Sequence, residues 1–160
     1  MKHKKALLAV LGCVAALAVP AAVMAADDDA IVIGNTSVID TVDPVHNGSN
    51  AWSLTADGVS ETIFMQDKEG NLVSRIVDSI EQKDELTWEM KLKEGVKFSD
   101  GSDVDAQALC DSMNTIMENN EMASTSAGVI TFTPVDDMTV ELKSERETTV
   151  MPSVLCEDSM

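Results

Sequence analysis

Leu86-Thr87-Trp88-Glu89-Met90-Lys91-Leu92 alternates apolar and polar residues without a break. A period of two places Leu86, Trp88, Met90 and Leu92 on one face of a strand and Thr87, Glu89 and Lys91 on the other. The pattern predicts a strand in a sheet with one buried and one wet face. Gln82-Lys83-Asp84-Glu85 makes a polar turn ahead of it, and Ile76, Val77 and Ile80 form the preceding apolar run. Lys93-Glu94-Gly95 closes the strand, Val96 and Phe98 resume the alternation, and Ser99-Asp100-Gly101 turns again. Ser102 or Asp103 is the expected cap of a following helix, with Asp105 in its first turn, where negative charge is favoured. Ala106, Leu109, Cys110, Met113, Ile116 and Met117 recur at helical spacing and give that helix its apolar stripe, which ends near Asn119-Asn120.

Two further strands are predicted downstream, over Val129 to Thr133 and through Met138, Val140 and Leu142, joined around Pro134. From Ser144 onward no period is evident. Upstream, Asp67-Lys68-Glu69-Gly70-Asn71 is a turn in which Gly70 can take positive φ. Trp52, Ala56, Val59 and Ile63 share helical spacing, which predicts a helix from Ser53 to about Phe64. Ile31, Ile33, Val38 and Ile39 predict an opening buried strand, ended by Asp43-Pro44. The order strand, helix, strands, helix, strands is that of a mixed α/β, or α+β, layered domain.

Residues 1–25 have the form of a secretory signal. Lys2, Lys4 and Lys5 precede a charge-free apolar run over residues 6–19, and Val23-Met24-Ala25 offers small residues for cleavage after Ala25. The run is shorter than the roughly 20 residues a membrane-spanning helix needs. Leu11-Gly12-Cys13 resembles a lipidation site, but the residues after Cys13 stay apolar, so ordinary cleavage is the reading adopted. The expected product is an exported chain, periplasmic or extracellular, with no membrane insertion once the signal is gone. Residues 26–160 keep eight basic and all 28 acidic residues, a net charge of −20. That charge argues against nucleic acid as a partner, because phosphate would be repelled.

Chemistry-bearing patterns are few. Asp100-Gly101-Ser102-Asp103-Val104-Asp105 lacks the Gly and Glu positions of a calcium loop, and a turn followed by a helix cap accounts for it. Met113 and Met117 lie on the core stripe, where packing explains them better than metal binding. His46 stands in a loop without a second His or a Cys near it in sequence, and Cys110 falls on the apolar side of its helix. No phosphate-binding glycine loop or nucleophile elbow occurs. Catalysis is not expected, nor is a cofactor or a metal site; a small exported hydrolase would need more titratable groups in one constellation.

Leu92-Lys93-Glu94-Gly95-Val96-Lys97-Phe98-Ser99-Asp100-Gly101, followed by Asp103-Val104-Asp105-Ala106, resembles the signature of the family 5 extracellular solute-binding proteins. Lys93 stands where that signature usually has Arg. Ile39-Asp40-Thr41-Val42-Asp43-Pro44 resembles the family's first loop. Glu61-Thr62-Ile63, residues 67–73 and Ile76-Val77-Asp78-Ser79 are similar to its next run, with Ser74 near the usual Pro. Thr139-Val140-Glu141-Leu142-Lys143 is similar to the strand after the helix. The resemblance implies an incomplete periplasmic-binding-protein type II fold. Residues 26–45 would be the opening strand and loop of lobe one, and residues 46–160 an added subdomain. It implies a substrate-binding component of an ABC importer for peptides or nickel chelates, apparently truncated, that works with a membrane permease. The loop nearest the ligand cleft would hold His46, Trp52 and Ser53. The alternative is a stand-alone exported interaction domain derived from that subdomain.

Overall fold

A computed structural model of the protein describes residues 51–158, together with residues 32–34, 36, 41–43 and 45. The signal segment, Cys13 and His46 lie outside the described residues. The chain divides into two compact units, Met1–Gly34 and Asn35–Met160. In the first, residues 32–34 have no regular structure and Val32 and Ile33 are exposed, so the expected opening strand is not formed there. Its other apolar members, Ile31, Val38 and Ile39, lie outside the described residues.

The second unit is built on a four-stranded antiparallel sheet of β3 (Val77–Gln82), β4 (Thr87–Leu92), β5 (Ile130–Asp136) and β6 (Thr139–Ser144), in the order β3-β4-β6-β5. The alternation in β4 comes out as expected: Trp88, Met90 and Leu92 are buried and Lys91 is exposed. Cross-strand register repeats the pattern across the sheet. Gln82, Trp88, Leu142 and Phe132 stand in one row, and Ile80, Met90, Val140 and Pro134 in the next. On the wet face Glu81, Glu89 and Glu141 stand directly opposite one another. Like charges in that position repel. Lys83 offsets this by reaching Glu89 at 3.0 Å and Glu81 at 3.3 Å. Pro134 falls within β5, an edge strand, where a missing N–H is tolerated, and the register shifts just after it.

Helix α2 (Ala106–Asn119) covers the apolar face with the six residues of the expected stripe, all buried. Its cap is Asp105, whose carboxylate accepts the N–H of Ala108 at 2.8 Å, not Ser102 or Asp103. The chain reaches the helix late because residues 96–104 close a loop of their own: Phe98 N–H donates to Ser102 O at 2.9 Å and Val104 N–H to Val96 O at 3.0 Å. Phe98 therefore does not continue the strand and is 45% exposed. Asn114 ties α2 to the sheet, pairing its amide with both the C=O and the N–H of Phe132 at 2.8 and 2.9 Å. Asn120 then ends α2 and caps α3 (Glu121–Ala127).

Ahead of the sheet, α1 (Ala51–Ala56) is much shorter than the helix expected from Ser53 to Phe64. Gly58, at φ +74°, ends it: Val59 N–H bonds back to Leu54 O at 2.8 Å and Gly58 N–H to Thr55 O at 3.2 Å. This is the glycine-terminated helix end that Asp57-Gly58 allows. The supposed stripe fails with it, since Trp52 and Val59 are exposed. A small hairpin follows, β1 (Met65–Gln66) with β2 (Leu72–Val73), turning through Gly70 at φ +84° as expected. The tail without a period folds as well. Its helix α4 (Met151–Val154) starts with Pro152 in the first turn, Met151 and Leu155 are fully buried, and Leu155 O accepts the N–H of Phe64 at 3.1 Å.

Candidate functional site

The end of α1, the 58–65 segment, the 95–104 loop and helix α2 line a groove of about 460 Å³. The end of α1 and the 58–65 segment form the first wall, with Leu54, Ile63 and Met65. Ser74 holds that wall in place: its hydroxyl donates to Ile63 O at 2.5 Å and accepts from the N–H of Ile76 and of Val77 at 3.1 and 2.9 Å. The 95–104 loop supplies Val96, Phe98 and Val104, and α2 supplies Leu109, Met113 and Ile116, roughly one turn apart. The lining is apolar in larger part, and of its charged residues Arg75 pairs with Glu61 at 3.4 Å and Lys97 with Asp103 at 2.5 Å, while Asp158 also borders it.

Such a surface can desolvate an apolar group. Among the described residues no three His, Cys, Asp or Glu side chains come together as a metal site. Burial, followed by the charge of Asp111, pushes the Cys110 thiol up to about 11. It is therefore a protonated, inert core residue. Cys156 is also a free thiol, half-buried and shifted upward by burial and then by Glu157. The carboxylates displaced from their ordinary range, Asp67, Asp84, Asp100 and Asp136, are all shifted down by hydrogen bonds in turns. They close loops and are not poised as acids or bases.

The residues expected near a ligand cleft are placed unevenly. Trp52 lies on α1 and is 52% exposed. Ser53 beside it is wholly buried, and its hydroxyl has no hydrogen-bond partner among the described residues. Neither lines the groove, and His46 is outside the described residues. The groove itself escapes a reading of the sequence because its walls come from stretches some 50 residues apart, each resembling ordinary core. Exposed Val59 and Phe98 at its margin are the surviving signals.

The model of the bacterial extracellular solute-binding proteins, family 5 (middle region), matches residues 71–159. The chain belongs to this family. The glutathione-binding protein GsiB of Shigella dysenteriae is 33% identical over 108 residues, and GsiB of Escherichia coli K12 is 32% identical over the same length. The chain spans about a fifth of the length of these curated relatives, 20% of each against 67% of itself. Among solved structures, a nickel ABC transporter protein from Bacillus halodurans superposes with a TM-score of 0.65 at 22% identity, over 73% of this chain and 24% of that one. NikA from Staphylococcus aureus, in complex with Ni(L-His)2, gives 0.58 at 18% identity, over 74% and 24%. OppA from Burkholderia pseudomallei gives 0.55 at 22% identity, over 72% and 26%. At those identities the likeness establishes the fold, part of a periplasmic-binding-protein type II architecture. Family 5 solute-binding proteins are not enzymes, in keeping with the lack of a catalytic constellation expected from the sequence. No helix among the described residues is long and apolar enough to cross a membrane.

Proposed function

We propose that this chain serves in the substrate-binding component of an ABC importer for small peptides, glutathione or nickel chelates, exported and delivering its ligand to a membrane permease. The observation that carries the reading is the family match over residues 71–159, supported by the same region's fold likeness to peptide- and nickel-transport proteins. In this reading the chain supplies one wall of the ligand site. Trp52 is the contact residue, an exposed aromatic plane suited to stacking on a peptide bond or an imidazole. Ser53 beside it is buried, so the reading rests on Trp52.

The two tryptophans make this testable, because Trp52 is exposed and Trp88 is buried. Glutathione, trialanine and a nickel–histidine chelate are titrated in turn against the chain and its Trp52→Phe variant while indole fluorescence is followed. The reading predicts a saturable, weak response to one of these ligand classes that disappears in the variant. No response from any of the three, or one unaffected by Trp52→Phe, contradicts it.

A further inference from the structure

We draw no further inference here: the strongest candidate, the apolar groove of about 460 Å³ between the 58–65 segment, the 95–104 loop and helix α2, is an unpartnered face and nothing in the structure shows what covers it.

Discussion

Trp88 and Thr87 are neighbours on β4 that face opposite ways. Trp88 is buried against the core cluster, and its indole N–H reaches Thr148 O at 3.3 Å, tying the sheet to the chain's last stretch. Trp88→Ala is therefore expected to cost about 3–5 kcal/mol, the usual range for emptying a large core site. Thr87→Ala is expected to cost about 1 kcal/mol or less. Urea unfolding of the two variants checks this, and equal costs would mean the strand register is wrong. Asp84 allows a second check at the same scale. The N–H groups of Leu86 and Thr87 each reach its carboxylate at 2.9 Å, and the Leu86 bond above all holds its carboxyl below the ordinary value of 3.8. The charged form is thus favoured by folding. Its contribution is present above the unfolded pKa and is lost as pH falls through the lower folded one. Carboxyl titration by NMR is expected to show Asp84 still ionised at pH values where a peptide aspartate is half protonated. Titration at or above the ordinary value would remove the turn from the account.

At the scale of elements, what could be read from the sequence depended on how far each pattern extends. β4 and α2 were legible residue by residue, because period two and period 3.6 each persist long enough to exclude the other. The helix expected to run to Phe64 was misread: Trp52, Ala56, Val59 and Ile63 fit the spacing by coincidence, and Gly58 in a left-handed conformation outweighs them. Phe98 was misread for a related reason. Alternation ran through Gly95, which at φ +76° turns the chain away from the sheet. A four-residue helix such as α4 is too short to show a period, although Pro152 in its first turn is a start signal. The corrected cap of α2 can be tested directly. Asp105→Ala is expected to destabilise by about 1 kcal/mol through loss of the bond to the Ala108 N–H. Asp103→Ala is expected to stay within about 0.5 kcal/mol, since its exposed pair with Lys97 contributes little. A reversed order in thermal or urea melts would return the cap to the earlier position.

For the molecule as a whole, the buried faces of the sheet, α2, the 63–64 segment and the tail residues Met151 and Leu155 meet in one continuous apolar cluster. The sequence made the sheet–helix half of that cluster legible. The closing half was hidden, because Phe64 and Leu155 meet across some 90 residues through a backbone bond that no pattern reports. The candidate ligand contacts were equally hard to rank: exposed Trp52 and buried Ser53 are adjacent in sequence, and burial alone separates them. The central proposal is that this chain contributes one wall of a ligand site. A ligand enclosed between lobes sheds most of its water, whereas a ligand on one wall keeps it. Each tenfold loss of affinity is about 1.4 kcal/mol, so losing a few contacts moves micromolar binding to millimolar. Calorimetric titration of residues 26–160 with glutathione, trialanine and the nickel–histidine chelate tests this most directly. The account predicts weak binding, with a dissociation constant of about 1 mM or above, to one of the three, whereas saturable one-to-one binding tighter than about 10 μM would contradict it.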